Sequence, residues 1–274
     1  MNLIQNIYSM KIDKDFFNAN GYTIVRNVFT REEVEQFRQL AYQTLEEDKA
    51  NNLVKKVVND LKDVYYPKGD LLSKSLNKVL LSDKILKIAE TILDATPVYF
   101  QDSTYQIGIG DRGFHRDNVD RIANQGEDWQ GDYDIIRVGV YMQDHDRYSG
   151  GLKVVEKSHK GIDGKRVFID SKAGDVVVWS LRTLHSGNAA RLKIFPSLVM
   201  GYRFENLLPN FLLKDSQQER ISCFMSFAKE GRNLDRYIEK YMKVKMLDHL
   251  KNSDCPKDDS SKNKFVTIKK IWSE

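Results

Sequence analysis

The sequence predicts a mainly β protein, a sandwich or closed jelly roll with helices ahead of and behind the strands. Two observations carry this expectation. From Val98 onward, short apolar runs alternate with Gly, Asn and Asp turns, giving candidate strands at 98–107, 112–117, 135–142, 152–156, 166–169, 175–180, 197–204 and 220–227. On both sides of this region the apolar residues recur at helical spacing, as Val34, Phe37, Ala41 and Leu45 do before it and Leu234, Ile238, Tyr241 and Leu247 after it. A chain of 274 residues with a hydrophobic share of 41% can bury one sizeable core of this kind.

The elements follow in order. Residues 13–22 read as a short helix closed by Gly21, and 23–29 as a strand. Thr30 and Glu33 form a capping box, and the helix behind it carries its apolar stripe toward a sheet. Residues 48–72 read as a mixed polar connection with a turn at Tyr65-Tyr66-Pro67-Lys68-Gly69. Ser82 can cap a second amphipathic helix bearing Ile85, Ile88, Ala89 and Ile92, which breaks near Pro97. After the strands, residues 229–250 return to helical spacing. The expected organisation is one domain over residues 1–250 and a polar, mildly basic tail over 251–274, with 254–264 too polar to bury a core.

Chemistry enters at two separated clusters, Gly113-Phe114-His115-Arg116-Asp117 and Thr183-Leu184-His185-Ser186-Gly187-Asn188. In extended chain, side chains alternate between faces, so His115 and Asp117 point to one side and can grip one metal. His185 follows the apolar strand 175–180, entered through the Gly174-Asp175 turn, which can deliver a distant imidazole to the same cavity. Two neutral imidazoles and one carboxylate on a face of an octahedron leave three open positions, the arrangement of non-haem Fe(II) oxygenases.

Between the clusters lies Ser149-Gly150-Gly151-Leu152-Lys153-Val154-Val155-Glu156-Lys157-Ser158-His159-Lys160-Gly161, and beyond them Arg220-Ile221-Ser222-Cys223-Phe224. In this ordered set, over about residues 13–230, the chain resembles the phytanoyl-CoA dioxygenase family of Fe(II)/2-oxoglutarate enzymes. The resemblance implies a double-stranded β-helix (a cupin-like jelly roll) with flanking helices. It also implies Fe(II) on His115, Asp117 and His185, with 2-oxoglutarate as cosubstrate and O2 as oxidant. The far carboxylate of 2-oxoglutarate then needs a cation, and arginine suits it as a planar, permanently charged fork. The family places this arginine about a dozen residues after the distal histidine, where this chain has Pro196. Arg220, opening what reads as the last strand after an inserted segment of residues 189–218, is the first choice, with Arg203 and Arg191 as alternatives. Ser186, beside the distal ligand, is a further cosubstrate contact. Asp117 speaks against halogenation, because halogenases of this superfamily replace the carboxylate to seat chloride.

The polar loop 118–133 directly follows two ligands and is placed to cover the site, with Gly126 and Gly131 to let it move. Arg116, Asn118, Arg121 and Arg137 could recognise hydroxyl, phosphate or carboxylate groups, and Trp129 could stack on a ring. The activity expected is hydroxylation of a small, polar or anionic organic molecule. Its rivals are a non-catalytic cupin-like ligand-binding protein and an oxygenase acting on an acyl or nucleic-acid substrate. His145 and His159 read as structural, and His249 as an exposed helical residue.

Composition bounds the rest. The net charge of +4 is concentrated after residue 230, where acids are interspersed among the bases, and there is no base-reading motif, so nucleic acid is not an expected partner. No apolar run is long enough for a membrane span, and Met1-Asn2-Leu3-Ile4 lacks the pattern of a signal peptide, so cytoplasmic residence is the expectation. Cys223 and Cys255 are too few and too far apart for a disulfide framework or a zinc site. Nothing in the sequence sets an oligomeric state.

Overall fold

Asp13 starts the fold by accepting the Phe16 N–H at 2.8 Å, capping α1 (Lys14–Asn20). Gly21 closes that helix at φ 85°, a conformation that only glycine adopts readily; a Cβ there would lie 2.4 Å from His159 Nδ1. The chain then enters β1 (Tyr22–Val25). The capping box at Thr30 and Glu33 forms in both directions and opens α2 (Arg31–Ala50), whose Val34, Phe37, Ala41 and Leu45 are buried. A short α3 (Asn77–Leu80) and the amphipathic α4 (Asp83–Leu93) complete the N-terminal helical layer. The computed structural model describes residues 10–58, 63–108, 113–215, 220–252, 267–269 and 271.

The remaining strands are β2 (Val54–Val58), β3 (Asp63–Pro67), β4 (Val98–Ile107), β5 (Ile135–Tyr141), β6 (Gly151–Val155), β7 (Arg166–Phe168), β8 (Val176–Ser180), β9 (His185–Ala189), β10 (Ile221–Ala228) and β11 (Thr267–Ile268). The larger sheet runs β1-β8-β5-β10-β4-β3-β2, and the smaller runs β7-β6-β9. From β1 through β8, β5 and β10 to β4, neighbouring strands of the larger sheet come from distant parts of the chain; the whole order is antiparallel, and the smaller sheet is antiparallel too. Two antiparallel sheets wound this way, with helices on one outer face, make the double-stranded β-helix.

Alternation along the strands explains both the core and the cavity. Ile136, Val138 and Val140 of β5, Val176 and Val178 of β8, and Ile221, Cys223, Met225 and Phe227 of β10 turn one way and join the buried cluster that α2 and α4 complete. The intervening residues turn toward the smaller sheet: Trp179 packs with Tyr141, Leu152 and Val154, and half-buried Phe224 joins them. The larger sheet therefore has one face committed to packing under the helices and one committed to the cavity between the sheets.

Several expectations need correction. Residues 48–72 hold β2 and β3, a hairpin the mixed Lys-rich composition obscured. The strand expected at 112–117 is reduced to a single bridge pairing His115 with His185, residue 112 lying outside the described residues. The strand expected at 197–204 is loop followed by α5 (Tyr202–Leu207). The C-terminal tail does not simply leave the domain. Beyond the helices after β10, which begin with α6 (Arg232–Tyr237), β11 pairs in parallel with Val98 and Tyr99, and Ile271 is buried beside it. The tail's 254–264 stretch lies outside the described residues. Among the described residues no helix is long and apolar enough to cross a membrane.

Candidate metal centre

His115 and His185 face each other as an antiparallel pair and exchange both backbone hydrogen bonds, at 2.9 and 3.0 Å. That exchange brings their rings together, with centroids 4.4 Å apart. Two residues on, the Asp117 N–H donates to Leu181 O at 3.0 Å, turning its carboxylate to the same side. His115 Nε2 lies 3.7 Å from Asp117 Oδ1, and His185 Nε2 lies 3.6 Å from Asp117 Oδ2. One donor atom from each residue falls within 4.8 Å of the others, which fits a single ion.

The tautomers suit a metal as well. His115 Nδ1 contacts Gly113 O at 3.0 Å and His185 Nδ1 contacts Thr183 O at 2.9 Å. A carbonyl can only accept, so each Nδ1 carries the proton and each Nε2 keeps its lone pair for the site. Burial pushes the His185 imidazole down to about 4, so it stays neutral near pH 7. Burial alone would raise the Asp117 carboxyl, but His185, Arg137 and His115 outweigh it and hold the carboxyl below the usual carboxylate range.

These residues open onto a cavity of ≈ 370 Å³. Its wall is built largely from the inward positions of the strands: Thr104 and Gln106 of β4, Arg137 and Tyr141 of β5, Leu152 of β6, Trp179 of β8 and Phe224 of β10, with Arg220 just before β10. Arg220 is 4% exposed. Its Nε–H donates to Gly150 O at 2.8 Å, its Cζ lies 5.7 Å from the Tyr141 ring centre, and its Nη1 finds no acceptor in the protein. Trp179 Nε1 is a second buried donor without an acceptor. A cavity whose buried donors lack acceptors fits a ligand rich in oxygen, such as a dicarboxylate.

Gly139, opposite Val177 on β8, makes room for the Trp179 ring; a Cβ there would meet that ring at 2.9 Å. Gly139→Val is expected to destabilise the fold by about 1–3 kcal/mol through overpacking. A thermal melt followed by near-ultraviolet circular dichroism, which reports on Trp179, checks this.

The other sequence candidates fall into two groups. Arg137 does line the cavity, but its guanidinium is already shared, with Nη2 3.6 Å from Asp117 Oδ2 and Nη1 3.2 Å from Asp102 Oδ1. Asp102 is buried and also accepts from Ser226 and Tyr237. Two of its nitrogens thus link the Asp117 carboxylate to a fixed internal acid, while its buried Nε finds no acceptor in the protein. Ser186 turns away from His185 by strand alternation and donates to Gly187 O. Arg116 donates to Arg182 O and Arg121 O and lies over Trp129. Asn118 is fully buried and donates to Asp120 O and Asp128 Oδ2. Arg121 lies over the Tyr241 ring, and Trp129 donates to Asp120 O at 2.8 Å. None of these five lines the cavity.

The same contacts revise the loop 118–133. Asp128, 2% exposed, accepts from Asn118, from the Asp120 N–H and from Arg236, so the segment has its own polar interior tied to α6. Among the arginine alternatives, Arg191 pairs with Asp170 and stacks on Phe168, and Arg203 sits exposed on α5. Neither reaches the cavity. His145 and His159 are internal, as expected, held by Gln143 and Ser171 and by Asn18 O respectively. His249 is half-buried and bonded to Gln101 O, not exposed. Asp175 of the Gly-Asp turn is structural, accepting from Arg26 and from the Asn27 and Lys172 N–H groups.

Sequence reasoning missed Asp102, Thr104, Gln106 and Tyr66. Polar residues at 102, 104 and 106, every second position of the strand, were the available signal for the first three, blurred by Gln101 and Ser103 between them.

Fold and donor set define a class: a double-stranded β-helix with a site suited to one mononuclear metal ion. The chain belongs to the phytanoyl-CoA dioxygenase (PhyH) family of Fe(II)/2-oxoglutarate-dependent enzymes, whose family model matches residues 17–191. Among curated proteins no sequence matches the chain significantly. Among solved structures it is similar to SnoN, a non-heme α-ketoglutarate-dependent epimerase from nogalamycin biosynthesis, with TM-score 0.57 and 15% identity over 79% of this chain and 80% of that one. SnoK, a carbocyclase from the same biosynthesis, gives TM-score 0.54 and 16% identity over 79% and 82%. HygX from Streptomyces hygroscopicus, with nickel, 2-oxoglutarate and hygromycin B bound, gives TM-score 0.53 and 14% identity over 78% and 85%. At these identities the likeness is one of fold.

Proposed function

We propose that this chain hydroxylates a small, polar or anionic organic molecule, using Fe(II) held by His115, Asp117 and His185 and 2-oxoglutarate held by Arg220. The observation that carries the reading is the opening of this donor set and the partly unpartnered Arg220 guanidinium onto one cavity. Three ligands leave room in an octahedron for a chelating 2-oxo acid and for O2. Arg220 would hold the far carboxylate of that acid, with Trp179 Nε1 as a further donor in the same wall.

When bound, Fe(II) and 2-oxoglutarate supply the oxidising chemistry: O2 and the 2-oxo acid are consumed, succinate and carbon dioxide leave, and a substrate C–H becomes C–OH. The protein's own contribution is positioning and exclusion. The Gly113 and Thr183 carbonyls fix the imidazole tautomers, and Arg137 restrains Asp117 against Asp102. Leu152, Phe224 and the Trp179 ring line the wall with apolar surface that disfavours water. Tyr66, Thr104 and Gln106 give the cavity a polar side, which supports a polar substrate over an acyl chain.

The test is a screen with Fe(II), 2-oxoglutarate and ascorbate, reading succinate and product mass. Sugars, phosphorylated and carboxylated metabolites, acyl thioesters and oligonucleotides are compared. The fold hosts an epimerase and a carbocyclase in SnoN and SnoK, so the product must be examined as well as the succinate. A product one oxygen heavier, from a small polar compound, is expected. Succinate stimulated only by acyl thioesters would overturn the substrate class, and an isomer or a product with one ring more would overturn hydroxylation.

A further inference from the structure

The excursion between β9 and β10 leaves the barrel on a paired base. Leu192 bridges Leu213, the Lys193 N–H donates to Leu212 O at 2.9 Å, and the Lys214 N–H donates to Arg191 O at 2.8 Å. The segment is also pinned from within. Glu205 of α5 and Lys153 of β6 are both fully buried and 2.5 Å apart, and the second Glu205 oxygen accepts the Ala190 N–H at 3.4 Å. A buried charge pair fixes which side of α5 faces the domain. On the opposite side of that helix lie Arg203, Phe204 and Leu207, related by i, i+1 and i+4 spacing.

What this built excursion presents outward is apolar. Ile194, Phe195, Leu198, Phe204, Leu207 and Phe211 are between 52% and 80% exposed. Single exposed apolar side chains are ordinary, but this many large ones on one short segment mark an interaction surface. None of them lines the metal cavity, so substrate binding does not account for them. The charges select the partner. Glu205, the one acid in residues 191–214, is neutralised internally by Lys153, and Arg191 is neutralised by Asp170. The other charges of residues 191–215 are the basic Lys193, Arg203 and Lys214 and the exposed acid Asp215, so the surface stays basic on balance.

Aromatic and leucine side chains on a tip with basic shoulders suit shallow insertion into a bilayer bearing anionic headgroups. A second copy of the chain fits less well, because a twofold contact sets this basic patch against its own copy. We propose that residues 194–211 form a peripheral membrane anchor that seats the protein on an anionic lipid surface. The apolar side chains enter the headgroup boundary, and Lys193 and Lys214 meet the lipid charges. The anchor is independent of the metal site, and its success or failure leaves that reading untouched.

The test is co-sedimentation of the full chain with vesicles of phosphatidylcholine, with and without phosphatidylserine. Binding is expected to the phosphatidylserine vesicles, to weaken as salt rises, and to be unchanged by Fe(II) and 2-oxoglutarate. Lys193→Glu should weaken it about thirtyfold, since two charge units change near the surface. The double variant Phe204→Ser, Leu207→Ser should abolish it with an unaltered melting temperature, both positions being exposed. Parent protein that ignores phosphatidylserine vesicles, or a folded double variant that binds them like the parent, overturns the proposal. A parent that fails to sediment but elutes as a dimer, dissolved by the double variant, assigns the surface to self-association instead.

Discussion

Asp117→Ala is expected to lower Fe(II) affinity by more than about a hundredfold, the upper range seen when only the groups behind a ligand are removed. The two imidazoles would remain paired through the His115–His185 backbone bridge, so the scaffold of the site survives. The cation would lose its one anionic ligand, and with it the charge that offsets Arg137. The fold should tolerate the change, because Arg137 keeps Asp102 as a partner at 3.2 Å. Anaerobic titration of Fe(II) into apo parent and variant, with a melt of each, separates the outcomes. A variant with parental Fe(II) affinity would remove Asp117 from the ligand set.

Arg220→Ala is expected to weaken 2-oxoglutarate binding by roughly two to four orders of magnitude while leaving Fe(II) binding close to parental. The basis is the cost of removing one partner of a buried charge pair, about 3–5 kcal/mol. Arg220 is the cavity arginine with an unengaged Nη1, whereas Arg137 already serves two carboxylates. Arg191→Ala and Arg203→Ala are the controls, since one is committed to Asp170 and the other stands on α5. The 2-oxoglutarate dependence of succinate formation in the three variants checks the assignment. Loss in either control with a normal Arg220→Ala would move the cosubstrate site, although the iron ligands would stand. The family match ends at residue 191, so this arginine rests on geometry.

The candidate donor cluster was legible in sequence because its signal is local and chemical: His-x-Asp needs only extended backbone to put two donors on one side, and the apolar strand before His185 announces where the third arrives. The jelly roll was legible from alternating runs, and β4, β5, β6 and β8 lie where periodicity put them. What failed were assignments that depend on tertiary pairing. β2 pairs with β3, and β3 meets β4 through Tyr65 and Ile107, and no local pattern in a lysine-rich stretch shows that. The 197–204 run carries enough apolar residues to read as a strand, yet it forms loop and helix around the buried Glu205. Of the substrate candidates, Arg116, Asn118, Arg121 and Trp129 lie outside the cavity wall. Proximity in sequence to a ligand does not fix the face, and Arg116, one residue from each ligand, necessarily points away from both. Trp129 and Asn118 looked available because a polar loop gives no sign of an internal acid, Asp128, that gathers its donors inward. The C-terminal return of β11 was hidden behind a polar stretch.

The central claim, that one cavity holds Fe(II) on His115, Asp117 and His185 and 2-oxoglutarate between that metal and Arg220, is tested most directly by anaerobic absorption spectroscopy. Adding 2-oxoglutarate to the Fe(II)-loaded protein should produce a visible charge-transfer band that saturates at one equivalent. The band should be absent without Fe(II), lost in Asp117→Ala, and shifted to far higher 2-oxoglutarate concentration in Arg220→Ala. Failure of the Fe(II)-loaded parent to give the band, or the same band at the same concentrations in both variants, would contradict the account.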